Sequence, residues 1–366
     1  MIFFSSGDLS LAAFSLVICI GIFLIRDIFP RLSGRRHDLY AVQSMHTQMT
    51  PRVGGVAIFG ALGLSVLFAP EQISDRYADF VLATSILFVV ALLEDLGIHI
   101  SAQNRLLAAV AASLAVIVLL GVWVPRLDIP GLDAALGYWI IGVPVTLVLT
   151  AGVSNAFNMI DGVNGMSALA AITAALALSQ ISYAADYTIM VHLATMLAAA
   201  VLGFFLVNYP FGLIFLGDAG AYTLGFVLSW FGISILLNAP DVSPWALLLT
   251  MFWPVADMCL AIYRRFRRKA GAMAADRLHV HQMVMRALEI CVLGRERRKI
   301  ANPLTTLVLA PFVITPPLFG VMFWDHSLMA FLSVLVFSLI FVASYSVAPK
   351  VVRRFRRVAG VPGRGL

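Results

Sequence analysis

The chain has 366 residues, 61% of them hydrophobic and only 12% charged, with a formal net charge of +6 and a mean hydropathy of +0.95. Soluble domains carry about 25% charged residues, so this composition excludes a soluble globular protein. It predicts an all-α polytopic membrane protein, a single integral membrane domain over 1–366.

A span needs about 20 apolar residues. Runs that fit occur near 9–25, 53–70, 79–93, 105–122, 138–153, 165–182, 187–207, 219–237, 244–263, 303–323 and 327–348. That predicts about 11 transmembrane helices, with 79–93 and 138–153 the shortest. The first run has no basic segment before it and no small-residue cleavage site after it, so it reads as a span and not as a signal peptide. No internal repeat is visible. Cys19, Cys259 and Cys291 are too scattered for a disulfide framework or a zinc site.

Alternating the loops across eleven spans puts 26–52, 94–104, 154–164, 208–218, 264–302 and 349–366 on one side. These loops and the helix ends beside them hold 23 of the 25 Lys and Arg residues; the other side holds Arg76 and Arg126. Basic residues stay cytoplasmic, so the N-terminus is expected in the periplasm and the C-terminus in the cytoplasm. The runs YRRFRRK (263–269) and the basic tail 349–366 lie just below helix ends. They read as topogenic charge touching anionic headgroups of the bilayer, not as a nucleic-acid surface.

Six of seven polar clusters fall on that basic side: Glu94-Asp95, 155–165, Gly217-Asp218, Asp257, Asp276 and His279-Val280-His281, to which the segment 46–55 adds a further polar stretch. Thr50, Pro51 and Arg52 with Gly54-Gly55 open the second span; a plain Pro/Gly helix start and an anion site at a helix N-terminus both fit. Glu94-Asp95 ends the third span. Adjacent helical acids point about 100° apart, so one can serve as a base or metal ligand while the other supports it; a helix-end pair facing water is the plain alternative. In NAFNMIDGVNG (155–165), Asn155 and Asn158 share a helix face, Asp161 follows, and Gly162 and Gly165 permit close backbone approach. Asp218 lies between Gly217 and Gly220 at the start of the eighth span, where an N-cap also fits.

Asp257 lies inside the ninth span, where an acid is a functional candidate by default or a local partner of Arg264. The segment 264–302 then forms a recognition loop. His279 and His281 cannot share a helix face, so an extended or turning stretch is expected beside Asp276 and Arg277. Met283, Val284, Ala287, Leu288 and Cys291 predict a short amphipathic helix at the cytoplasmic surface. The seventh cluster, around Asp133, is on the other side and reads as an ordinary wet loop. A mouth lined by Glu94, Asp95, Asp161 and Asp218 repels phosphate unless a divalent cation intervenes. Mg²⁺ takes one or two carboxylates plus phosphate oxygens, so the site composition predicts phosphoryl transfer at the cytoplasmic face.

The series TPRVGG, ALLEDLG, NAFNMIDGVNG, FLGDAGAYTLG, PVADMCLAIYRR and DRLHVH, in this order over about 44–290, resembles the polyprenyl-phosphate N-acetylhexosamine-1-phosphate transferases of glycosyltransferase family 4. The resemblance implies a multi-pass enzyme of the bacterial inner membrane. There undecaprenyl phosphate attacks the sugar-bearing phosphorus of a UDP-N-acetylhexosamine, and UMP leaves. It implies that Asp218 is the Mg²⁺ ligand, with Mn²⁺ as a substitute, and that Glu94 and Asp95 are the catalytic acidic pair, Asp95 the better placed to activate the lipid phosphate. Asn155, Asn158 and Asp161 would line the nucleotide and active site, with Thr50 and Arg52 beside it and Arg277, His279 and His281 in the sugar-nucleotide loop. A homodimer is compatible with it.

The chain departs from the family at Glu94, where Asp is more usual. The short HVH resembles the WecA-like branch, which starts O-antigen, enterobacterial common antigen or teichoic acid, and favours UDP-GlcNAc. The competing classes are an ion-coupled membrane transporter, which places its acids near the midplane and often carries inverted repeats, and a non-catalytic assembly scaffold.

Overall fold

The runs of apolar residues become helices because a backbone in hydrocarbon must satisfy its own hydrogen bonds. A computed structural model describes residues 5–29, 50–267 and 278–358, with strands absent among them. In chain order the helices are α1 (Ser6–Ile25), α2 (Gly55–Ser65), α3 (Ser74–Asp95), α4 (Ala102–Leu120), the short α5 (Leu132–Leu136), α6 (Trp139–Ile160) and α7 (Met166–Ala184). There follow α8 (Thr188–Asn208), α9 (Gly217–Asn238), α10 (Pro244–Thr250), α11 (Phe252–Arg267), α12 (Val280–Leu288), α13 (Arg298–Met322) and α14 (Ser327–Val358). Local chemistry sets several starts: Ser5 and Asp8 form a reciprocal capping box on α1, and the Ser101 hydroxyl accepts the Asn104 N–H at the start of α4.

Nine helices among the described residues are long and apolar enough to cross a bilayer. The expectation of eleven regular spans is corrected at two places. The run 53–70 is only a short apolar helix, Gly55–Phe68. The run 244–263 is broken: α10 and α11 meet at an 86° bend and together make a tenth candidate. The two runs that looked shortest in sequence are full helices of 22 residues, because α3 and α6 extend through polar ends that hydropathy alone does not count. The chain is therefore a multi-pass membrane protein, with helices as its only regular elements among the described residues.

Helix α9 is the centre of the bundle. Almost every residue from Gly217 to Leu236 is buried, against α3, α6 and α2. The alanine-rich faces of α7 and α8, including Ala171, Ala174, Ala194 and Ala198, let those helices pack closely. Helix α14 lies at the rim with a largely exposed apolar surface. One end of the bundle collects the ends of α3, α6, α8 and α11 and the starts of α2, α4, α7, α9 and α13. The described members of the polar clusters singled out on the basic side lie at this end, and the Asp133 loop lies at the other.

Candidate active site

The site begins with a helix that has no cap of its own. Leu216 precedes α9 and offers no side-chain acceptor. The Asp95 carboxylate, at the end of α3, supplies it: Oδ1 accepts the Asp218 N–H at 2.9 Å and Oδ2 the Ala219 N–H at 2.8 Å. A carboxylate on the positive end of a helix dipole is favourable. Gly217 makes this approach feasible. Its φ is +75°, and a Cβ there would collide with the Arg52 carbonyl and the Asp95 carboxylate.

The segment after Thr50 is stitched to the same place. Phe215 N–H donates to the Pro51 carbonyl at 2.7 Å, and the Gly54 and Gly55 N–H groups donate to Phe215 and Leu216 carbonyls, both at 2.9 Å. These bonds satisfy the N–H groups that the sequence offered as an anion site at α2, so that reading is corrected for Gly54 and Gly55. The same bonds carry Arg52 to Asp218, Nη2 to Oδ1 at 3.4 Å. Thr50 is half-buried beside them. The other Asp218 oxygen pairs with the Arg105 guanidinium from the first turn of α4.

Tyr222, one turn along α9 from Asp218, links the asparagine face of α6 to this cluster. Its hydroxyl donates to Asn155 Oδ1 at 3.2 Å and also meets Asn158 and Arg105. Asp161 ends α6 within the field of Arg52 and Asp218. Burial pushes its carboxyl up to about 7, with Arg52 lowering it and Asp218 raising it. Glu94 is turned away: Oε2 accepts the Ile100 N–H and closes its own α3–α4 loop.

The histidines form the opposing wall. Asp257, inside α11, accepts from His279 Nδ1 at 2.6 Å with one oxygen and from the Val280 N–H at 3.2 Å with the other, so it fixes His279 and caps α12 together. His279 is extended as expected (φ −66°, ψ 146°), yet His281 returns over it. The rings stack with centroids 5.7 Å apart, in planes 15° from parallel. His281 rests on Gly162, where any Cβ would strike Nε2. Both His281 ring nitrogens are buried without a hydrogen-bond partner among the described residues. Burial lowers its pKa to about 4, against the Asp257 charge and with a smaller push from His279, so the ring is neutral at pH 7.

The short helix expected after the histidines is present as α12. It buries Val280, His281, Gln282 and Met285 and packs on α13. Met283 and Val284 line an apolar cavity of about 340 Å³ with Phe252, Trp253, Phe312 and Phe341. Asp276 and Arg277 lie outside the described residues.

The structure thus brings Arg52, Asp95, Asn155, Asn158, Asp161, Asp218, His279 and His281 to one end of the bundle and turns Glu94 into its loop. Sequence reasoning missed Arg105 and Tyr222. The signal for Arg105 was present, an arginine opening a span on the basic side. Tyr222 had none beyond its place one turn past Asp218.

Among the described residues no group of three or more His, Cys, Asp or Glu side chains is arranged to hold a metal. The donors present are carboxylate oxygens, those of Asp161 and Asp218. That set suits a hard ion completing its shell with phosphate and water, as Mg²⁺ does, and not zinc.

The description glycosyl transferase family 4 matches residues 77–236, which include Asp95, Arg105, Asp161 and Asp218. The chain is similar to a probable undecaprenyl-phosphate N-acetylglucosaminyl 1-phosphate transferase of Bacillus subtilis, at 26% identity over 66% of this chain and 68% of the relative. It is 27% identical to an undecaprenyl-phosphate alpha-N-acetylglucosaminyl 1-phosphate transferase of Yersinia pestis, over 66% of this chain and 67% of that one. It is 29% identical to a decaprenyl-phosphate N-acetylglucosaminephosphotransferase of Mycobacterium tuberculosis, over the same shares. With its motifs gathered in one site, the chain matches the glycosyl transferase family 4 description over 77–236 and is similar to these prenyl-phosphate N-acetylglucosaminyl 1-phosphate transferases over about two thirds of its length.

Proposed function

We propose that this protein transfers N-acetylhexosamine-1-phosphate, GlcNAc-1-phosphate by preference, from a UDP-sugar to undecaprenyl phosphate at the cytoplasmic face of a bacterial inner membrane. The observation that carries the reading is the meeting of two carboxylates, Asp161 and Asp218, with two guanidinium groups, Arg52 and Arg105, at a bundle end. A long prenyl chain cannot leave the bilayer and a UDP-sugar cannot enter it, so their phosphates must meet at the headgroup plane. The names of the relatives, which specify a prenyl phosphate and N-acetylglucosamine, support the same pair of substrates.

In this reaction a phosphate oxygen of the lipid forms a bond to the sugar-bearing phosphorus. The bond from that phosphorus to the UMP oxygen breaks, and UMP leaves with the electron pair. Asp218 and Asp161 would hold Mg²⁺, which supplies charge neutralisation for the diphosphate. Arg52 and Arg105 hold Asp218 in position through their ion pairs, and lie ready to share the diphosphate charge. Asp95 keeps α9 in place by holding its first N–H groups, so Asp218 stands at a fixed point. His281, neutral and with both buried ring nitrogens unpartnered among the described residues, carries a donor and an acceptor at the wall where the sugar nucleotide would lie.

The test is release of UMP from UDP-GlcNAc by purified protein with undecaprenyl phosphate and Mg²⁺, followed by a panel of UDP-sugars. Uptake of a solute into vesicles without UMP release would instead support an ion-coupled transporter.

A further inference from the structure

The turn that carries Asp161 is held only in part by its own bonds. Within 161–166, Asp161 N–H reaches the Asn158 carbonyl at 3.3 Å, Gly162 N–H the Ile160 carbonyl at 2.9 Å and Met166 N–H the Val163 carbonyl at 3.3 Å. The N–H groups of Asn164 and Gly165 point elsewhere, and side chains from other helices take them. Gly165 N–H goes to Asn208 Oδ1. Asn164 is held at both polar groups of its main chain from one helix: its N–H donates to Asn302 Oδ1 at 2.8 Å, and its carbonyl accepts from Thr306 Oγ1 at 2.6 Å. Asn302 and Thr306 are one turn apart on α13 and both are buried. The Asn164 side chain donates in turn to the Pro210 carbonyl at 2.9 Å.

Asn164 is three residues from Asp161 and two from Gly162, the backbone against which His281 rests. Helix α13 also packs on α12, which carries His281. We propose that Asn302 and Thr306 are positioning residues of the transferase. Through the Asn164 main chain, α13 sets the Asp161 carboxylate opposite Asp218 and Gly162 under His281, so one helix aligns the acidic cluster with the histidine wall. This rests on the transferase reading above. The neighbouring Thr305 provides the contrast. It is equally buried, but its hydroxyl bonds to the Ala301 carbonyl at 2.7 Å within α13 and does not reach the turn.

The experiment compares Thr306→Val, Thr306→Ser and Thr305→Val in purified full-length protein. Three quantities are measured: UMP release, the Mg²⁺ concentration for half-maximal rate, and amide hydrogen exchange over 161–165 in metal-free protein. Thr306→Val leaves the buried Asn164 carbonyl without its donor. It should lower kcat/KM by roughly tenfold to a hundredfold, raise the Mg²⁺ requirement and speed exchange in the turn. Thr306→Ser should restore all three, and Thr305→Val should leave the exchange and the Mg²⁺ requirement unchanged. Unchanged exchange and Mg²⁺ dependence in Thr306→Val, or equal shifts in Thr305→Val, would overturn the proposal. The pair Thr306→Ala and Thr305→Ala gives the same comparison if Thr306→Val does not fold. A wild-type protein that releases no UMP would defeat the transferase reading, while the exchange pattern would still judge the clamp.

Discussion

The two ends of the bundle use their polar groups in opposite ways. At the end away from the site, Arg126 donates to Asp128 Oδ1 at 2.8 Å and to the Pro240 and Val242 carbonyls, both at 2.5 Å. Ser327 reaches the other Asp128 oxygen and shares a bond with Ser243 at 2.8 Å. Asp133, expected as part of a wet loop, accepts the Leu127 N–H at 2.8 Å. These groups answer one another and tie the α4–α5 loop to the α9–α10 and α13–α14 connections. At the site end, Arg105 Nε and both nitrogens of His281 are buried without partners among the described residues, and the Asp161 carboxyl is pushed toward its neutral form. A buried unpaired polar group costs about 1–3 kcal/mol. Around Arg126 and Asp128 the polar groups answer one another, whereas Arg105 Nε and both His281 nitrogens are left unpartnered among the described residues, and this marks the site end as the one shaped for a ligand.

The largest expected break in this comparison is Asp218→Asn. It should lower UMP release by at least about a hundredfold while the protein still elutes as a folded species, because Asp218 is placed by Asp95 and by backbone bonds and does not itself cap α9. Full turnover by that variant at ordinary Mg²⁺ would sink the metal assignment. Asp95→Asn should come next, lowering both activity and melting temperature, since it weakens the acceptor that holds two N–H groups of α9.

The pH profile sharpens the contrast. In metal-free protein the Asp161 carboxyl, raised from 3.8 to about 7, favours the folded state below pH about 4, and that contribution is lost as pH rises through about 7. Mg²⁺ requires the carboxylate, so at limiting Mg²⁺ the rate should fall as pH drops through about 7. More Mg²⁺ should move this limb to lower pH, and Asp161→Asn should abolish it. A limb that ignores Mg²⁺ would separate Asp161 from the metal.

Arg126→Ala should do the reverse of Asp218→Asn. It should cost about 1–2 kcal/mol of stability, read as a lower melting temperature, and leave kcat/KM unchanged in the protein that remains folded. Loss of activity without loss of stability would mean that the far end takes part in the reaction. The smallest effect is expected for Glu94→Asp, because Glu94 closes its own loop. If it proved more damaging than Asp95→Asn, the roles given to the two acids would be reversed.

Hydropathy and the segregation of Lys and Arg made the class legible: a helical, multi-pass protein whose polar clusters meet on its basic side. That follows from the bilayer, which forces each span to satisfy its own backbone and lets the chain be read one helix at a time. Partners across the bundle were not legible. That Asp95 caps α9, that Arg105 and not only Arg52 holds Asp218, and that Asp257 fixes His279 all join residues far apart in sequence. The 86° break between α10 and α11 was hidden as well, because an apolar run reads the same straight or bent. Sequence alone determined which residues must lie near the membrane edge. Only the tertiary structure decided which of them oppose one another, since a hydrogen bond depends on distances of a few ångströms that are set by how whole helices pack.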